Sequence, residues 1–144
     1  MPIEEFITER ITIVLPSQLQ YVDPVVMYLS DHLTRFGYPD EDCHTAVALH
    51  EAITNAMRHG NKLDATKKVE IVLELDAQQA VFIITDEGNG FDPASVCDPT
   101  EGENIFRECG RGLLMMRHIM DEVRYNERGN QITMIKKSPK AKSS

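Results

Sequence analysis

The chain is short of basic residues. It has 15 Lys and Arg against 23 Asp and Glu, a formal net charge of −8. Four of the 15 lie in the last nine residues, KKSPKAKSS, so residues 1–135 carry 11 basic against 23 acidic side chains, a balance of −12. An acidic body argues against direct binding to nucleic acid, which relies on clustered Lys and Arg. It suits a basic protein partner, or a site that holds an anion through backbone N–H groups and a metal. Cysteine is scarce as well. Cys43, Cys97 and Cys109 are odd in number and widely spaced, and they form neither a disulfide framework nor a Cys-x-x-Cys metal pair. A reducing cytoplasm is the simplest setting. No apolar run reaches the length of a transmembrane helix, so no membrane association is expected. The opening MPIEEFITER carries acids and no apolar run, and it does not read as a signal peptide. Internal repeats are absent, and so is the Gly-rich Gly-Lys-Ser/Thr phosphate loop.

What is present fits one domain. A chain of 144 residues with 42% apolar side chains can bury its own core. Ile11, Ile13 and Leu15 alternate with Thr12 and Val14, predicting a strand over residues 6–15 that Pro16 ends. Ser17 and Gln20 have the spacing of a capping box. Leu19, Val22, Val26, Leu29, Leu33 and Phe36 predict a helix that Gly37 closes. Pro39 and the acids at 40–42 predict a second helix start, and that helix runs to Gly60-Asn61. Residues 69–75 and 80–85 read as a hairpin. Residues 86–110 hold four glycines and two prolines and read as a long functional loop. A third helix over 112–120 and strands at 123–126 and 131–136 follow, and the basic tail after 137 reads as disordered. The expected architecture is α+β: a two-layer α/β sandwich, with helices on one face of a mixed, mostly antiparallel sheet.

The stretch 46–61, AVALHEAITNAMRHGN, is the most informative. It is rich in Ala, Leu and Met and apolar at most positions, so it reads as a helix buried on nearly all sides. Glu51, Asn55 and His59 recur every four residues and share one face. A carboxylate and an amide about 6 Å apart in a near-buried helix are costly unless something binds them. An Asn carbonyl can hold Mg²⁺, and a nearby Glu can orient or deprotonate a nucleophile. Taken alone, Glu-x-x-x-Asn is more often a solvated Glu beside a backbone-bonded Asn. His50-Glu51 starts like a zinc-protease helix, but the second His is missing.

Two glycine motifs accompany the stripe. Asp86-Glu-Gly88-Asn-Gly90 follows an apolar strand; the glycines allow close approach of a ligand to backbone, and Asp86 can accept a hydrogen bond from an exocyclic amine. Gly110-Arg111-Gly112-Leu113 opens the third helix, where N–H groups and the positive dipole end can meet a phosphate. Each is as often a plain turn or a hinge. Met115, Met116 and Met120 read as core, and His59 as structure rather than as a ligand.

The three motifs in this order resemble those of the Bergerat-fold (GHKL) ATPase superfamily, which includes DNA gyrase, heat-shock ninety chaperones, mismatch-repair ATPases and sensor histidine kinases. Within it the chain looks like the small stand-alone branch, the bacterial anti-sigma factor serine/threonine kinases. EAITNAMRHG looks like the N box, DEGNGFD like the first glycine box and GRGLLMM like the second, and the likeness spans roughly residues 10–137. The resemblance implies an ATP-binding domain over 1–137 with a tail at 138–144, and ATP and Mg²⁺ as cofactors. It implies Glu51 as catalytic base, Asn55 as the Mg²⁺ ligand and Asp86 as the partner of the adenine amino group. Gly88 and Gly90 would line the base pocket, residues 92–109 would be the ATP lid, and Gly110, Arg111, Gly112 and Leu113 would contact the phosphates. Arg58 would approach a phosphate. Many members have Gly-Thr in the last hairpin; here Gly129-Asn130 stands instead, with Asn130 as the candidate adenine contact.

The implied function is a cytoplasmic serine/threonine kinase that phosphorylates an anti-sigma factor antagonist and regulates a sigma factor by partner switching. A homodimer is compatible with it. Two alternatives stand beside it: a non-catalytic, nucleotide-gated binding module, and the catalytic domain of a sensor histidine kinase. Against the latter, residues 1–16 are too short for a dimerising phosphoacceptor helix pair.

Overall fold

The computed structural model describes residues 3–39, 44–88 and 108–139, with 4 and 108–111 by backbone alone. After a 3₁₀ turn at Ile3–Phe6 come β1 (Glu9–Pro16), α1 (Val22–Phe36), α2 (His44–Asn55), β2 (Lys68–Leu75), β3 (Gln79–Asp86), α3 (Glu108–Ile119), β4 (Glu122–Tyr125) and β5 (Gln131–Lys137). The strands form one five-stranded sheet in the order β1-β2-β3-β5-β4. Among the described residues every pairing is antiparallel, where a mixed, mostly antiparallel sheet was expected. Among the described residues, no helix is long and apolar enough to cross a membrane. The helix start expected at 39–42 lies mostly outside the described residues, as do Gly90, nearly all of the lid and most of the tail.

Strand alternation builds the sheet's inner face. Ile13, Ile71, Ile84, Ile132 and Tyr125 pair in one continuous row across all five strands. Along β3 the inward positions are Ala80, Phe82 and Ile84, all buried, and the next is Asp86. The same two-residue period that packs the core therefore delivers a carboxylate to the core side at the strand's end. The outward positions Val81 and Ile83 are half-buried and complete the apolar run.

The helices cover this face. Val22, Val26, Leu29 and Leu33 of α1 are buried at helical spacing, and α2 adds Ala48, Leu49, Ala52 and Ile53. α2 packs against both α1 and α3. Leu113, Met116 and Met120 bring α3 and the residue after it into the same core, as expected for the methionines at 116 and 120. Each fully buried Leu or Ile contributes about 1.5–3 kcal/mol.

The stop signals work by ordinary means. Gly37 takes a left-handed φ of 105°, and Tyr38 N–H then reaches the Leu33 carbonyl at 2.8 Å. In the β4–β5 turn Gly129 sits at φ 80°, while the Asn126 side chain accepts from the N–H groups of Gly129 and Asn130 at 2.7 and 3.1 Å.

Two local expectations fail. Ser17 does not cap a helix: α1 begins only at Val22, after a 3₁₀ turn at Leu19–Tyr21. Its N–H and hydroxyl instead both donate to the Lys67 carbonyl, at 3.1 and 2.9 Å, continuing the β1–β2 ladder past Pro16. The second helix also does not run as an α-helix to Gly60. Ala56–Gly60 forms a π turn, closed by Asn61 N–H on the Ala56 carbonyl at 2.9 Å. Lys62 and Leu63 follow in the left-handed region, at φ 55° and 57°.

Candidate functional site

The end of β3, the end of α2 and the β4–β5 hairpin enclose a cleft of about 280 Å³, counting space open to solvent. Ala52, Ala56, Ile84, Ile132 and Tyr125 give it apolar walls. Asn55, Asp86 and Asn130 supply its polar side chains besides Gln131. Three residues that the sequence singled out, 75 positions apart at the extremes, thus line one cavity.

Asp86 is 8% exposed. Burial pushes its carboxyl above the ordinary value of 3.8, opposed by the Gly88 N–H and by the charges of Arg128 and Lys67. Gly88 N–H donates to Oδ1 at 2.8 Å. Two glycines make room for this carboxylate. A Cβ on Gly60 would overlap the Asp86 carboxyl group, and a Cβ on Gly88 would overlap the Gly60 carbonyl. Gly60 was read only as a helix stop; its closer task is to let β3 and the π turn approach.

Glu51 and Asn55 lie one turn apart on α2, and both are half-buried, as the four-residue spacing demands. The helix is less enclosed than its composition suggested, since Val47 is 44% exposed. Its outer side also carries the exposed His50, which pairs with Asp23 of α1 at 3.3 Å. The Glu51 carboxylate rests against the backbone of α3, where a Cβ on Gly112 would overlap Oε1. The third member of the stripe, His59, lies on the π turn and is exposed. Arg58 on the same turn is exposed and does not line the cleft.

The second glycine motif sits differently from expectation. Gly110 and Gly112 lie inside α3, whose first residue is Glu108, rather than ahead of it. The leading N–H groups of a helix have no partner within it, so Gly110, in the first turn, still offers a donor. Leu113 is a core residue by its side chain, 3% exposed. Asn130 uses both ends of its amide within the protein. Its Nδ2 donates to the Asp86 carbonyl at 3.3 Å, and its Oδ1 accepts from Asn126 at 2.8 Å.

Sequence reasoning missed Asn61 and the true place of Ser17. Asn61 is fully buried and bonded to the residue after β1, to the start of β2 and to the residue after β3. Its only sequence signal was a polar residue directly after the helix-ending Gly60, which also marks an ordinary exposed cap.

A two-layer α/β sandwich, with a half-buried Glu-x-x-x-Asn pair on one wall and a glycine-cradled Asp on the other, defines a nucleotide-binding fold of ATPase type. The family model described as "Histidine kinase-like ATPase domain" matches residues 15–136, and the chain belongs to that family. It is similar to Serine-protein kinase RsbW of Staphylococcus aureus strains MSSA476 and MW2, at 32% identity over 142 residues, covering 92% of this chain and 87% of each relative. The protein of that name from strain JH9 matches to the same extent. The resemblance to Bergerat-fold kinases of the anti-sigma branch is borne out. The expected enzyme class, an ATP-using protein kinase, is that of these relatives.

Proposed function

We propose that the protein is an ATP- and Mg²⁺-dependent serine/threonine kinase that phosphorylates an anti-sigma factor antagonist in the cytoplasm and restrains a sigma factor by exchanging partners. The observation that carries this is the cleft itself. A buried acceptor, Asp86, closes one end between apolar walls that suit a planar base, and Asn55 and Glu51 follow one another along α2 towards the start of α3. The serine-protein kinase relatives support the choice of acceptor.

In this reading residues 1–137 act as one nucleotide-binding domain, with 138–144 as a tail. Asp86 accepts a hydrogen bond from the adenine amino group, and Gly88 and Gly90 flank the base. Gly110, Arg111, Gly112 and Leu113 face the phosphates through the leading turn of α3, whose free N–H groups and dipole favour an anion. Asn130 lines the cleft and holds the Asp86 carbonyl, so it would contact the base beside Asp86. Arg58 has no part.

The donor set fits Mg²⁺, a hard cation that takes oxygen ligands and is shared with substrate phosphates. Asn55 would supply the protein oxygen, and the ion, when bound, would neutralise charge on the transferring phosphoryl group. Glu51 orients the incoming Ser or Thr hydroxyl and takes its proton. The hydroxyl oxygen forms the new bond to phosphorus as the bond to the ADP oxygen breaks.

The direct test is incubation with labelled ATP and a small anti-sigma factor antagonist, followed by phosphoamino-acid analysis. Phosphoserine or phosphothreonine is expected. Bound ATP without a phosphorylated partner would replace the kinase by a nucleotide-gated binding module.

A further inference from the structure

One fully buried polar side chain with three hydrogen bonds is not touched by the proposed mechanism. Asn61 follows the π turn and is 0% exposed. Its Nδ2 donates to Ser17 Oγ at 2.7 Å and to the Lys68 carbonyl at 3.0 Å. Its Oδ1 accepts from the Glu87 N–H at 2.8 Å. The orientation of the amide is fixed by chemistry, because only the oxygen can face an N–H and only the nitrogen can face a carbonyl. Ser17 is tied in turn to the Lys67 carbonyl at 2.9 Å, and the Glu87 carboxylate accepts from the Lys68 N–H.

The residue just after Asp86 is thus gripped twice, by its N–H to the end of the π turn and by its side chain to the start of β2. Asp86 is held mainly through its backbone, where its carbonyl accepts from Asn130 Nδ2 at 3.3 Å. Its carboxylate is bonded to the Gly88 N–H, two residues on, and its N–H joins the ladder to the Asn130 carbonyl at 2.9 Å. The direction of the carboxylate therefore depends on the peptide joining 86 to 87, whose carbonyl Asn130 holds at 3.3 Å and whose N–H Asn61 holds more closely, at 2.8 Å. The π turn has the matching consequence: its extra residue carries Asn61 inward beneath the strand ends, with the left-handed Lys62 and Leu63 following as the chain turns back.

We propose that Asn61 is a positioning residue for base selection: by holding the Glu87 N–H it aims the Asp86 carboxylate at a purine bearing a 6-amino donor and against one bearing a 6-oxo acceptor. This rests on the proposed function, since it needs a purine nucleotide in the cleft. A buried amide that only satisfied neighbouring backbone groups would support folding and leave the choice of base alone. An amino group donates to a carboxylate, whereas an oxo group at the same place repels it and leaves the buried acceptor unpaired.

The experiment measures the affinities of the full chain for ATP and ITP, each with Mg²⁺, by titration calorimetry, alongside thermal unfolding. The protein is compared with Asn61→Ala, Ser17→Ala and the reference variant Asp86→Asn. The unaltered protein should favour ATP over ITP by about tenfold or more, and Asp86→Asn should collapse that ratio. Asn61→Ala should reduce the ratio by about fivefold or more, and Ser17→Ala by less, because Lys68 still holds the amide. Loss of folding alone lowers both affinities together and leaves the ratio fixed. An unchanged ratio in whichever of the Asn61 and Ser17 variants folds overturns the assignment, while the preference of the unaltered protein still stands. Failure of the unaltered protein to bind either nucleotide overturns the proposed function, and the assignment with it.

Discussion

The Glu51 carboxylate of α2 lies against the backbone of Gly112 in α3, so closely that no Cβ fits between them. A Gly inside a helix costs about 0.5–1 kcal/mol relative to Ala, so by backbone entropy alone Gly112→Ala would stabilise α3. Here it should not. The new methyl group must push Glu51 aside or drive the helices apart. The expected result is a phosphotransfer rate lower by about 10²-fold, the effect of losing a positioned base, with ATP still bound. Raised thermal stability with unchanged turnover would show that this contact does not matter to the chemistry.

Glu51 and Asn55 share a face of α2 but are assigned to different steps, and single substitutions separate them. Asn55→Ala should abolish Mg²⁺-dependent ATP binding, weakening it by at least about tenfold, since it removes an oxygen facing a cation. Glu51→Ala should bind ATP normally and lose transfer by about 10²–10⁴-fold. Equilibrium binding and a single-turnover phosphorylation assay read the two separately. Unchanged transfer in the Glu51 variant would remove that residue from the mechanism.

Gly60 is held to glycine by Asp86 rather than by its own backbone angle. Gly60→Ala should destabilise the fold by about 1–3 kcal/mol, as overpacking does, and also weaken ATP binding by displacing the Asp86 carboxylate. Gly37→Ala is a useful contrast. It has open space around it but a φ of 105°, so it should cost stability alone. Urea titration combined with nucleotide binding distinguishes strain in the site from strain in the chain.

These glycines mark where the sequence was legible and where it was not. Gly37 could be read as a stop because its signal is local: a glycine directly after an apolar helical stripe. The strands were legible because β2 and β3 alternate or run apolar over whole segments, and the Glu51–Asn55 pair because four-residue spacing survives in any α-helix. Asp86 was legible at its strand end. What escaped depends on partners far along the chain. Ser17 had a capping spacing, but strand pairing brought it to Lys67, 50 residues away, and that contact won. Asn61 meets Ser17 across 44 residues, and nothing near it in sequence says that it is buried. The π turn escaped for the same reason: Ala-Met-Arg-His is good α-helical sequence, and it is the bonding at Asn61 that accompanies the wider turn.

Asp86 links the site to pH, and the direction is set by burial. Its folded pKa lies above the ordinary 3.8 because burial disfavours the charged form more than the Gly88 N–H, Arg128 and Lys67 favour it. Between the unfolded and folded values the folded protein holds the proton more tightly, so stability falls as pH rises through that window and grows as pH is lowered into it. Nucleotide binding should run the other way. A protonated Asp86 is a poorer acceptor for an amino group, and ATP affinity should drop over the same acid range. Asp86→Asn removes both dependences: its stability without nucleotide should lack the contribution of this carboxyl, and its weak ATP binding should be flat with pH. Urea melts and ATP titrations of the two proteins over roughly pH 4 to 7 measure this, and the other carboxylates cancel in the difference. Parallel stability profiles would mean that Asp86 titrates normally in the fold, and burial would then not set its charge.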